Sequence, residues 1–179
     1  MGIGLMTKNN RLDCIDFIEN NMEAKVRNRL DGFTTLKRLT DDYLDLQLTT
    51  AVRVEMKLLP VTDSTACICM VRTCNGPVPE SDVTFYSASW ERLASAALLP
   101  TPDYAAFWVP GDMADAAEVA RLQHLQDMRF VTVALSPDNL TLAYTLQPGE
   151  VNPEEAERMK SVLRPVTYHW QDGRFVEQH

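Results

Sequence analysis

A chain of 179 residues with 25 acidic and 17 basic side chains, net charge -8, is long enough to bury a substantial core. That balance argues against nucleic acid, because nothing offers a basic stripe to neutralise phosphates, and it disfavours anionic membranes for the same reason. No apolar run approaches the roughly 20 residues that span a bilayer. Gly2–Met6 is too short and too uncharged for a signal peptide, and Met6 stands where myristoylation needs Ser or Thr.

Taken in order, the first periodic segment is Cys14, Ile15, Phe17, Ile18 and Met22, a helical stripe that predicts a helix over 12–28, stopped by Asp31-Gly32. A strand follows over Thr34–Leu39, and Thr40-Asp41-Asp42 turns it back. Leu44, Leu46 and Leu48, then Val52, Val54, Met56 and Leu58, alternate strictly with polar or charged residues. Period two puts the apolar set on one face, so 44–58 reads as an antiparallel hairpin with a dry face and a wet, charged face. Pro60–Thr65 reads as a polar loop. Ala66–Thr73 is apolar on both faces, Ile68 and Met70 on one and Cys67, Cys69 and Val71 on the other, as in a doubly covered central strand.

Asn75-Gly76-Pro77 and Pro79 mark a turn, Val83–Ser87 a returning strand, and the proline-rich stretch 98–110 the least regular region. Asp112 is a candidate cap for a helix over 112–127 through Ala116, Val119, Leu122 and Leu125. Phe130–Leu135 and Leu140–Leu146 are strands about the turn Ser136-Pro137-Asp138-Asn139. Asn152-Pro153-Glu154-Glu155 opens a helix over 153–163: a capping amide, proline at the first helical position and acids at the positive dipole end. Its buried stripe is Ala156, Met159, Val162 and Leu163. Pro165 stops it, and a hairpin turns on Asp172-Gly173, where a positive φ is wanted.

These elements predict one α+β domain over 1–179: a meandering antiparallel sheet of six to nine strands with three helices on its apolar face, and a candidate sub-boundary near 98–112. Leu39–Leu46 echoes Leu135–Leu142, and Val83–Tyr86 echoes Val166–His169. Two related halves or chance matching of turn-and-strand patterns both account for this.

Chemistry-bearing patterns are sparse. Cys67, Cys69 and Cys74 lack the second pair and nearby histidine of a structural zinc site, and buried apolar cysteine explains them better; a Cys69–Cys74 redox link has only proximity behind it. The three histidines, His124, His169 and the terminal His179, stand in no nucleophile or metalloprotease motif. Asp41, Asp42 and Asp45 lack the alternation and closing glutamate of a calcium loop. Seven glycines leave little for a phosphate loop. No catalytic, metal or cofactor residue is assigned. The one suggestive cluster is aromatic: Trp90, Tyr104, Phe107 and Trp108 gather about the proline-rich connection, either as a partner surface or as a plug for the open end of the core.

Strings spread over most of the chain resemble a family of uncharacterised secreted or cell-envelope proteins of gut anaerobic bacteria, a domain of unknown function. They are Lys8-Asn9-Asn10-Arg11-Leu12-Asp13, Leu39-Thr40-Asp41-Asp42-Tyr43, Thr73-Cys74-Asn75-Gly76-Pro77, Leu135-Ser136-Pro137-Asp138, Arg164-Pro165 and Tyr168–Val176. The resemblance implies an exported protein whose leader is absent here, and it transfers no catalytic residue. The alternation of strands and helices also resembles, in architecture alone, the helix-on-sheet modules of the β-lactamase-inhibitor type. The expected role is a non-enzymatic envelope or secreted module that binds a protein or other macromolecule. The alternative is a carrier of a small apolar ligand, in a cavity lined by Met56, Met70 and Tyr144. A hydrolytic or redox enzyme ranks third and would need His124 or His169 beside a cysteine and a carboxylate.

Overall fold

The structure, a computed structural model, describes residues 2–110, 115–126 and 128–178. Among the described residues the fold is α+β, with ten strands divided between two antiparallel sheets rather than gathered in one. The first is a six-stranded meander in chain order: β1 (Lys25–Arg27), β2 (Phe33–Leu39), β3 (Tyr43–Gln47), β4 (Val52–Thr62), β5 (Thr65–Cys74) and β6 (Glu80–Ser87). The second comprises β7 (Val131–Leu135), β8 (Thr141–Leu146), β9 (Val166–Gln171) and β10 (Arg174–Glu177). The helices are α1 (Lys8–Glu19), the single turn α2 (Ser95–Leu98), α3 (Ala116–Leu125) and α4 (Pro153–Val162).

The middle of the apolar face of the 44–58 hairpin is buried as the alternation requires, with Leu46, Leu48, Val54 and Met56 in one core with Cys14 of α1, while Leu58 at its end stays 42% exposed. The face expected to be wet is not. Glu55 and Lys57 are each only 2% exposed, because the second sheet packs there. Tyr43, Leu59, Cys67, Cys69, Val71 and Phe85 on this side meet Leu135, Leu142, Tyr168, Trp170 and Phe175 of the second sheet. Strand β5 is therefore covered on both faces, with the predicted division of side chains. The inter-sheet core also takes Val119 and Leu122 of α3 and Met159 and Val162 of α4, so it draws on both sides of the 98–112 connection. The helices consequently flank opposite faces of the first sheet.

Three local expectations are revised. Helix α1 begins at Lys8, capped by Thr7 through the Asn10 N–H, and ends at Glu19. Residues 25–27 instead form an edge strand, because Val26 can fill the core beside Leu36 only when the backbone is extended. Of the expected loop Pro60–Thr65, Pro60–Thr62 belongs to β4 and Thr65 opens β5, so only Asp63-Ser64 turns between them. The Leu58 N–H donates to Asp42 on the β3 side, so the nitrogen of Pro60, two residues on, faces the same side beyond the end of β3, where no donor is needed. The predicted cap Asp112 lies outside the described residues, and Asp115 caps α3 by accepting from the Glu118 N–H. In the last third the expected cap Asn152, proline start and Asp172-Gly173 turn all form, with φ +50° and +77° at the turn. The echoed stretches form hairpin turns in both sheets, but the sheets have unequal numbers of strands.

Candidate functional site

The β2–β3 turn is built by Thr40: its hydroxyl accepts from the Tyr43 N–H at 3.0 Å and lies 3.0 Å from an Asp42 carboxylate oxygen. This fixes the wall of a depression of about 180 Å³, whose apolar lining includes Leu39, Leu44, Met56, Leu58 and Ile68 and whose rim carries Asp41 and Asp42. It shares Leu39 and Leu44 with a second depression of about 140 Å³ beneath α1, lined by Met6, Ile15 and Leu46, with Arg11 at its edge. Strict alternation along β3 and β4 creates this surface, since the sheet's apolar face extends further than the 12-residue α1 can cover.

Trp90 stands over the first depression. It sits in a tight turn, donating its N–H to the Ser87 carbonyl, while Ser87 Oγ accepts from the Glu91 N–H. Residues 91–93 then run back along β6, where the Leu93 N–H reaches the Phe85 carbonyl. The turn forces Trp90 to φ +64°, a left-handed conformation that costs a residue with a Cβ about 1–2 kcal/mol. Its ring is 54% exposed and lies 5.7 Å from that of Tyr86.

The other three aromatic candidates are placed differently. Phe107 and Trp108 are buried in the inter-sheet core, where Trp108 packs edge-on to Tyr104 at 5.8 Å. Tyr104 is half-buried under the Arg129 guanidinium, 4.0 Å from its ring. Trp108 donates its backbone N–H to Ala105, and its neighbours Val109 and Phe107 bond to the end of α4. The proline-rich connection thus plugs the core with two of its aromatics and leaves Trp90 alone on the surface. The cavity expected between Met56, Met70 and Tyr144 does not form. Met56 and Met70 belong to the α1-side core and Tyr144 to the inter-sheet core, separated by the sheet itself.

Beneath the groove lies a buried polar chain. The Tyr43 hydroxyl donates to Glu55 Oε1 at 2.7 Å, Glu55 Oε2 lies 3.3 Å from Arg53, and Arg53 binds Asp45 through two hydrogen bonds. Lys57 pairs with Asp42 at 2.8 Å and donates to the Pro137 carbonyl at 3.0 Å. Burial pushes the Glu55 carboxyl above its ordinary range, against the lowering effects of Tyr43 and Arg53. The folded chain therefore holds this proton at pH values where the unfolded chain has released it. The resulting stabilisation is full below about pH 4.5 and is lost as pH rises through the folded pKa. In denaturation series between about pH 4 and pH 8, wild type is expected to lose stability relative to Glu55→Gln as pH rises. A pH-independent difference would contradict this.

Among the described residues, no reactive constellation accompanies this polar chain. His124 donates Nδ1–H to the Ala120 carbonyl of its own helix at 2.7 Å, and His169 lies on the outward face of β9. Cys67 and Cys69 are buried thiols whose pKa values burial pushes up. Cys69 and Cys74 are five residues apart on one extended strand, about 17 Å and far beyond disulfide reach. Among the described residues no group of His, Cys, Asp and Glu is arranged to hold a metal ion, and no helix is long and apolar enough to cross a membrane.

A search of curated proteins gave no match. Among solved structures, the chain is similar to a domain of an uncharacterized protein from Porphyromonas gingivalis W83, with TM-score 0.76 and 28% identity over 97% of this chain and 91% of that one. The model of the family described as "Protein of unknown function (DUF3256)" matches residues 3–175. The family resemblance read from the scattered turn motifs therefore holds over nearly the whole length, and the chain belongs to the DUF3256 family of proteins of unknown function.

Proposed function

We propose that this chain is a non-enzymatic module of the cell envelope or the secreted fraction that binds a protein partner through the groove beside Trp90. The observation that supports it most is Trp90 itself. A large ring is held out of the core on a strained backbone, beside an apolar depression that the fold leaves uncovered. Such strain is kept where the surrounding structure over-determines it, and it clusters at ligand clamps. Trp is also among the residue types enriched at the binding hot spots of protein interfaces. The partner's matching feature is an apolar segment with a basic group that meets Asp41 at the rim, since Asp42 beside it is already paired with Lys57. The non-enzymatic part of the reading rests on the dispersal of the histidines and thiols over different elements.

Crosslinking in the native cell from a photoreactive residue at position 58 tests this. Capture of a partner that is lost with Trp90→Ala supports the reading, and capture insensitive to Trp90, or none, overturns it. Trp90→Gly separates binding from folding. Glycine tolerates φ +64° without the Cβ penalty, which offsets the lost contact with Tyr86. Its stability is expected within about 1 kcal/mol of wild type, with affinity reduced about 30-fold. Cell fractionation checks the envelope location.

A further inference from the structure

The overall charge of -8 conceals a sharply uneven distribution. The segment 25–38 carries Lys25, Arg27, Arg29, Lys37 and Arg38 against the single acid Asp31. It is +4, so the rest of the chain carries -12. Among the described residues, Lys25, Arg27, Arg29 and Lys37 join no ion pair, while Arg38 pairs with Asp138 at the far end of β2. All five side chains are exposed.

This charge surrounds apolar side chains that the fold holds in water. Pairing of Arg27 with Phe33 and of Lys25 with Thr35 places these four on the face of the β1–β2 hairpin opposite α1. Phe33 is 51% exposed, and its ring lies between Lys25, 4.8 Å from its centre, and Arg27, at 6.0 Å. Leu30, at the tip, is 66% exposed. That exposure is built in. The buried Asn28 side chain accepts from the N–H groups of Leu30 and Gly32 at 3.0 and 3.2 Å and donates to the Leu48 carbonyl at 3.3 Å. The Asn28 N–H closes the turn on the Gly32 carbonyl, and Asp31 takes φ +57°. The loop is thus tied to the sheet from inside, with Leu30 directed away from it. Asp45, an acid on the same sheet face, is neutralised by its bidentate bond to Arg53.

We propose that this hairpin tip docks on a lipid bilayer bearing anionic headgroups. Exposed cations close to two protruding apolar side chains match the layered chemistry of that interface: phosphates meet Lys25, Arg27 and Arg29, while Leu30 and Phe33 enter the acyl boundary. A protruding tip needs no complementary pocket in such a surface, and the remaining negative charge turns the rest of the molecule away from it. The groove beside Trp90 lies on the other face of the sheet and stays free for its partner.

The test is co-sedimentation of the full chain with vesicles of phosphatidylcholine alone or with about 30 mol% phosphatidylglycerol. The expected result is binding only with the anionic lipid, weakened by salt. It falls at least about tenfold in Lys25→Glu/Arg27→Glu and in Leu30→Ser/Phe33→Ser, and is unchanged in Trp90→Ala. The four side chains are exposed, and unchanged denaturation midpoints verify that the variants fold. Absence of binding to the anionic vesicles, equal binding to both vesicles, or retention by either double variant overturns the proposal. So does tight binding to soluble polyglutamate without vesicle binding, which assigns the patch to an acidic protein.

Discussion

Replacement of Phe85 by alanine is expected to cost about 3–5 kcal/mol, the largest effect of any single substitution considered. Phe85 is fully buried on β6 and is the first sheet's contribution to an aromatic cluster. Its ring stacks on Trp170 at 6.3 Å and meets Phe175 at 6.2 Å, and these two pack edge-on at 5.0 Å. Trp170 also donates its indole N–H to the Pro60 carbonyl at 2.6 Å, so the cluster joins the two sheets by area and by hydrogen bond. The alanine variant leaves a cavity at that seam, and a domain of ordinary stability has only about 5–15 kcal/mol in all. Urea unfolding followed by tryptophan fluorescence measures the loss. Trp170→Ala should be strongly non-additive with it, because the two rings are in contact. A cost below about 1 kcal/mol would mean that the sheets are held together elsewhere.

Asp42→Ala is expected to cost about 3 kcal/mol, the lower end of what breaking a buried ion pair costs. The damage falls on Lys57, which is 2% exposed and, once Asp42 is gone, keeps the Pro137 carbonyl and the face of the Tyr43 ring, 5.8 Å away, but no anionic partner. Asp42 is itself half-exposed, which keeps the figure at the lower bound. Lys57 holds the Asp42 carboxyl below its ordinary range. The pair's contribution is therefore present above about pH 3.8 and lost as pH falls through the folded pKa. Lys57→Met in the Asp42→Ala background should recover most of the stability, since it removes the unpaired charge and keeps an apolar stem of similar length. Thermal unfolding of the wild type, the two single variants and the double variant forms the cycle that measures this. Equal loss in Asp42→Ala and in the double variant would place the effect in the turn backbone instead.

These two sites mark where reading from sequence succeeds and where it stops. The strand Ala66–Thr73 was legible to the level of which side chains share a face, because period-two geometry leaves no alternative once the strand is extended. The cap Asn152, the proline start of α4 and the Asp172-Gly173 hairpin were equally legible, since each is decided by the conformational limits of one or two residues. The expected helix over 12–28 takes in Val26 because a short edge strand has too few alternations to show a period, and only its neighbour β2 gives it a partner. Among the four aromatic candidates the chain carried no signal separating Trp90 from Phe107 and Trp108. Exposure there depends on where the connection lands, and the end of α4 decides that. The expectation that no basic stripe exists fails at 25–38, because a sum over the whole chain hides a local run of five cations against one acid.

By itself the sequence determined the local grammar of this protein: strand periods, helix caps, turns, and an α+β composition with two-faced strands. The tertiary structure alone decided that the charged face of β4 would be roofed by a second sheet. Alternation states that two faces differ, but it does not state what covers either one. Glu55 and Lys57 are tolerable inside because Tyr43 of β3, Asp42 of the β2–β3 turn and the Pro137 carbonyl, 80 residues away from Lys57, converge on them beside Arg53 of their own strand. Convergence of that kind is a property of packing in three dimensions, and no local pattern encodes it.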